Sequence, residues 1–176
     1  MANTIGPAVA AGAPLVRSYA EALIKGVAPS TFARLAVVEG KVIQSNHPCW
    51  VFGHLSIYHE RIMDLLGLPR GAAERPAGFE ALFKNGTPCL DDPQGTIYPS
   101  MDAVMGYFFA GQALAMEAVK FADDSVLLAP NPAEGRMKEL FPTKGMVMGF
   151  LMGAHPMMHI GQASAWRRMM GMGSAM

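Results

Sequence analysis

Two cysteines, Cys49 and Cys89, in 176 residues are too few for a disulfide framework, so packing has to hold this chain together. Charge is also scarce. Charged residues are 16% of the chain, and 14 basic side chains balance 14 acidic ones. That balance excludes broad electrostatic attachment to nucleic acid or to an anionic membrane surface. Uninterrupted apolar runs are missing too. Met101 to Val119 carries Asp102 and Glu117, and Gly145 to Met170 carries two histidines, Gln162, Arg167 and Arg168. A membrane span needs about 20 apolar residues, so both read as buried helices. The sequence has no internal repeat, no glycine-rich phosphate loop and no series of β-hairpins. Met1 to Pro14 lacks the basic start and long apolar run of a secretory signal, which leaves residues 1–13 as a flexible lead-in and points to a cytoplasmic chain.

Hydrophobic residues make up 51% of the sequence, enough for one substantial core in a single domain spanning 1–176. So little charge over so many apolar residues also suggests surface covered by a partner subunit, most simply in a homodimer. Four helical segments are predicted, giving an all-α bundle with two long connections. The first runs from about Leu15 to Val27. The second starts at Pro48, with Asn46 as a candidate cap and Gly67 as its stop. Val51, Leu55, Tyr58, Ile62 and Leu65 form its apolar seam. The third opens at Pro99-Ser100 and runs to Ala122, with Gly106 and Gly111 allowing close helix approach. The fourth runs from Thr143 to Met170, with Met148, Leu151, His155, His159, Gln162 and Trp166 facing inward. Residues 28–46 read as a short helix or an extended crossing. Residues 68–98, rich in proline and glycine, read as an irregular wall at one end of the bundle.

Three histidines stand in apolar, helix-patterned stretches. His155 and His159 are one helical turn apart, so both imidazoles leave the same face, and such a pair can chelate a divalent ion. A lone histidine reads as a core residue, and the pair by itself divides evenly between core and metal. His54, beside the seam of the second helix, tips the reading toward a three-nitrogen metal site with open positions. Imidazole suits several metals; zinc and nickel come first, with iron, cobalt and manganese also compatible. His47 reads as a surface or capping residue. His59 lies five positions past His54, roughly 140° around the helix, and is set aside as a ligand. Tyr58 and Gln162 are candidates for support around the site or for its substrate pocket, with seam packing as the competing role. Cys49, near a helix start, allows a reactive thiol, although a small buried hydrophobe is the simpler reading. Arg167 and Arg168 complement a helix dipole, or less simply bind a substrate anion. The 15 methionines form no clustered array and read as core filler.

The order Asn46, Trp50-Val51-Phe52-Gly53-His54-Leu55, a Tyr98-Pro99 helix entrance, then His155-x-x-x-His159-x-Gly161-Gln162 and a terminal Arg168 resembles the DinB/YfiT-like superfamily. The likeness covers most of the chain beyond residue 46. It implies a four-helix bundle of up-down-down-up topology, commonly dimeric, with a divalent metal on His54, His155 and His159. Members of that superfamily often carry a polar or acidic residue after the first histidine of the pair. This chain has Pro156, which in mid-helix would remove a hydrogen bond and kink the site. Some members resemble metal-dependent thiol-S-transferases that use low-molecular-weight thiols, and others mycothiol-dependent isomerases. The resemblance therefore implies a small-molecule enzyme of the thiol-transferase class, with water activation for hydrolysis as a variant. A non-catalytic metal-binding stress-response bundle is the alternative.

Overall fold

Local sequence signals place the helix boundaries. In the computed structural model, which describes residues 3–70 and 75–175, α3 spans Pro48–Leu66. Pro48 occupies its first turn, where a missing N–H costs no intrahelical bond. Gly67 closes it in the left-handed region at φ 71°, with its N–H on the Asp64 and Met63 carbonyls. The N-cap is His47 rather than Asn46: the imidazole Nδ1 accepts from the Trp50 N–H at 3.1 Å, and Nε2 meets the Leu90 carbonyl at 2.9 Å. His47 is thus a fully buried cap and not a surface residue. Ser100 caps α5, Met101–Lys120, through the Ala103 N–H. Two short helices follow, α6 (Asp124–Leu128) and α7 (Arg136–Leu140), and Thr143 then caps α8, Lys144–Met152, through the Met146 N–H.

The described residues are mostly helical, with one small antiparallel sheet: β1, Val37–Val38, pairs with β2, Lys41–Val42. That hairpin and a 3-10 turn at Pro29–Thr31 fill the first connection. The second connection holds a short helix, α4, Phe79–Phe83, whose two phenylalanines are buried against α3. Its segment 71–74 lies outside the described residues.

The start of the chain differs from expectation. Instead of a flexible lead-in over residues 1–13, α1, Gly6–Ala10, packs on the end of α5. A side chain on Gly6 would collide with the Val119 and Lys120 carbonyls at 2.5–2.6 Å. The Asp124 carboxylate holds the approach by accepting from the Thr4 and Ile5 backbone N–H groups. Residues 1 and 2 lie outside the described residues.

The fourth expected helix is two. α8 ends at Met152, and α9 runs Ala154–Met169 after a break at Gly153. Gly12, at the entry to α2 (Ala13–Ile24), sits against that break: a Cβ on Gly12 would stand 3.1 Å from the Gly153 Cα. The break also changes the meaning of Pro156. It becomes the third residue of α9, and the interruption falls in the turn before it, where a proline removes the hydrogen bond to the Met152 carbonyl, so the expected kink takes the form of a break.

α3 is central, packed on α5 along most of its length and on α8 and α9 along another face; α2 closes against α9 and α5. Two apolar clusters result. One gathers Trp50, Phe52, Phe83, Phe108 and Trp166; the other gathers Ile62, Met63, Leu127, Met148 and Leu151. Gly111 does allow close approach, against the His59 ring, whereas Gly106 faces open space. Among the described residues no helix is long and apolar enough to cross a membrane.

Candidate metal centre

α3 carries His54 between Trp50 of the first apolar cluster and Tyr58, which packs on the second. The start of α9 brings His155 and His159 to the same point. One ligand atom from each of the three imidazoles lies within 4.8 Å of the other two, so a single ion reaches all three after small ring rotations. Ring centroids are 4.7 Å apart for His54–His159, 4.9 Å for His155–His159 and 5.6 Å for His54–His155.

Neighbouring groups fix two of the tautomers. His54 Nδ1 is 2.7 Å from the Phe83 carbonyl oxygen, which can only accept. The proton therefore sits on Nδ1, and Nε2 keeps its lone pair. His159 Nδ1 donates to Gln162 Oε1 at 3.0 Å, and Asn46 Nδ2 donates to the same oxygen at 2.9 Å. Asn46 is therefore not a helix cap; it orients Gln162, which orients His159. The third imidazole differs. His155 Nδ1 is buried with no hydrogen-bond partner, a state that costs free energy unless something else binds there.

All three rings favour the neutral, ligating form. Burial pushes His155 down to about 3, helped by the other two imidazoles. Burial also lowers His54, against the Phe83 hydrogen bond, and lowers His159, against Gln162. Trp50 stacks on His54 at 4.7 Å and 11°. Tyr58 meets His155 edge-on at 4.4 Å and His54 at 5.1 Å. Orphaned Nδ1, fixed tautomers and neutral donors together fit a metal ion on this set.

The histidines open into a cavity of about 460 Å³, whose wall includes Tyr58, Arg61, Asn85, Met137, Phe150 and Met158. Tyr58 thus has both roles read from the sequence, helix packing and pocket lining. Asn85 was not legible, because it follows α4 in an irregular stretch. Arg61 was legible in principle: it stands seven residues after His54, on the helix face that also carries Tyr58.

Other candidates fall outside the centre. His59 packs between Phe108 and Gly111, with burial holding it neutral at about 4. Burial pushes the Cys49 thiol strongly up and Cys89 to about 11, so proximity to a helix start does not activate Cys49. Asp91 and Asp92 order their loop, as a turn role requires: Asp91 accepts from the Arg34 side chain and the Leu35 N–H, and Asp92 from three backbone N–H groups at 96–98. The Arg167 guanidinium caps α2 by donating to the Leu23 and Lys25 carbonyls. A buried carboxylate went unread: Glu60 is clasped by Arg70, Arg75 and the Tyr107 hydroxyl. No protein-family model and no curated protein matches the chain.

Proposed function

We propose that this chain is a DinB/YfiT-like four-helix bundle, with α2, α3, α5 and the broken α8–α9 unit as its up-down-down-up helices. On this reading it is a metal-dependent small-molecule enzyme of the thiol-S-transferase class. The observation that supports it best is the convergence of three neutral imidazoles, one with an orphaned buried nitrogen, in the wall of a cavity. His54, His155 and His159 would hold the ion, zinc or nickel before iron, cobalt or manganese. A divalent ion there supplies positive charge that stabilises a thiolate, or in a hydrolytic variant makes water nucleophilic.

The chain's own residues do the rest. The Phe83 carbonyl and Gln162 keep two rings in the ligating tautomer, so no proton has to move between their nitrogens when the ion arrives. Trp50 and Tyr58 exclude water from the flanks of His54 and His155. The apolar wall receives the body of the second substrate. The reading includes a homodimer that covers apolar surface such as Leu114 and Phe121.

Elemental analysis of untagged protein tests the centre. The expected result is one metal per chain, lost in His155→Ala. Absence of stoichiometric metal, with stability unchanged in His155→Ala, overturns it. Turnover is tested with a thiol panel and a reactive electrophile. Rates above the metal-only background that disappear in His54→Ala support an enzyme; rates at background in both proteins leave a metal-binding bundle instead.

A further inference from the structure

Arg61 is placed differently from the other arginines near it. Arg70 and Arg75 are both bound to Glu60, and each has a second carboxylate, Asp64 and Glu80 respectively. Lys144 is held by the Leu65 carbonyl at 2.7 Å. Among the described residues Arg61 has no ion-pair partner. Its neighbour Glu60 is turned toward α5, where Tyr107 donates to it, and so does not neutralise it.

The position is as informative as the lack of a partner. His54, Tyr58 and Arg61 stand at i, i+4 and i+7 of α3, and all three line the same cavity. Seven residues of helix advance about 10 Å, so the exposed Arg61 stands about two turns along the cavity wall from His54. Met137, Val147, Phe150, Leu151 and Met158 make much of the remaining wall apolar, with Asn85 the other polar side chain. Arg61 is the only lysine or arginine among the described lining residues. It also lines an adjoining cavity of about 310 Å³, and so stands on the partition between the two. A cavity whose wall carries one cation, a largely apolar surface and, two helical turns away, electron-pair donors suits a ligand with one anionic head.

We propose that Arg61 is the carboxylate-binding residue of this cavity and selects small organic acids whose apolar body runs from the acid group toward the histidines. A planar guanidinium pairs with a planar carboxylate through two parallel N–H bonds, which a lysine cannot reproduce. One guanidinium matches a singly charged head. The inference rests on the proposed function for what happens at the histidine end, but its test does not require metal.

The probes are 3-phenylpropanoate and its neutral counterpart 3-phenylpropanol, titrated calorimetrically into the full chain after chelator treatment. The acid should bind at least about tenfold more tightly, the scale of a charge-assisted hydrogen bond. Arg61→Gln should bring the acid down to the alcohol and leave the alcohol unchanged, while Arg61→Lys keeps part of the preference. Equal binding of the two probes, absence of binding by the acid, or an Arg61→Gln variant that weakens both alike overturns the proposal. A separate zinc titration of the same proteins reads the histidines. Loss of zinc binding with the acid preference intact sinks the metal reading alone, and the reverse result sinks Arg61 alone.

Discussion

Gly53→Ala tests how the fold and the metal centre are linked, because Gly53 precedes His54 and lies under Phe83. A Cβ at position 53 would stand 2.5–2.6 Å from three carbons of the Phe83 ring. Ordinary carbon contacts lie at about 3.5–4.0 Å, so the ring has to move by about an ångström. Phe83 is fully buried, packed on Phe79 at 4.6 Å and stacked on Tyr98 at 5.5 Å, so moving it disturbs both rings. Overpacking of this kind costs about 1–3 kcal/mol. For a chain of this size, 2 kcal/mol corresponds to a melting point lower by roughly 4–8 °C.

The same displacement reaches the site. The Phe83 carbonyl is the acceptor that fixes the His54 tautomer, so a shift of its backbone loosens one ligand of three. Zinc affinity, measured by competition with a chromophoric chelator, should fall by about tenfold, near the low end for loss of a supporting hydrogen bond. Gly106→Ala is the control. It lies in the exposed interior of α5 with nothing near its missing Cβ, and should stabilise by about 0.5–1 kcal/mol with zinc affinity unchanged. A Gly53→Ala protein that melts at the parent temperature refutes the packing argument. One that is destabilised yet binds zinc as before refutes the link between Phe83 and His54.

Gln162→Leu should weaken zinc binding by about 10–100-fold, and Asn46→Ala by less, since it only frees the Gln162 amide to turn; chelator competition checks both, and equal affinities would remove the supporting role. His59 is held neutral at about 4 in the folded chain against 6.5 unfolded. Below pH 6.5 the unfolded chain alone takes up this proton, so stability falls until about pH 4, by roughly 3 kcal/mol in all, and is unaffected above 6.5. Urea midpoints of metal-free parent and His59→Asn should therefore converge as pH falls through that window, and parallel profiles contradict the assignment. Asp92→Ala leaves the Thr96, Ile97 and Tyr98 N–H groups without their acceptor and should cost at least about 2 kcal/mol in a denaturant titration, with Asp92→Asn in between.

Features carried by neighbouring residues were legible in the sequence. Pro48 and Gly67 bound α3, Ser100 and Thr143 cap their helices, and the four-residue spacing of His155 and His159 survives because both lie within α9. Features decided by distant contacts were not. Asn46 and His47 are both plausible caps by type, and the choice depends on Leu90, which holds the His47 ring in place. Arg167 looks like a dipole partner for its own helix until α2 is packed beside it. The break at Gly153 has a local signal in Pro156, but the close approach of Gly12 to it has none in either neighbourhood. The Glu60 cluster draws on α3, α5 and the second connection together.

The groups that support the histidines bear on which chemistry the centre favours. His54 leans on a backbone carbonyl, His159 on a carboxamide, and His155 Nδ1 on nothing. The carboxylates nearest in sequence are engaged elsewhere, Glu60 with Arg70, Arg75 and Tyr107, and Asp64 with Arg70. Ligands and supports are therefore all neutral, and the nearest unpaired charge among the described cavity residues is the cation of Arg61. A divalent ion on such a set keeps its full charge for whatever enters the open positions. That arrangement stabilises an anion more than a neutral molecule, and a thiol ionises far more readily than water. Neutral supports would thus favour an anion in the open positions, thiolate and hydroxide alike, and they would do so through Phe83 and Gln162.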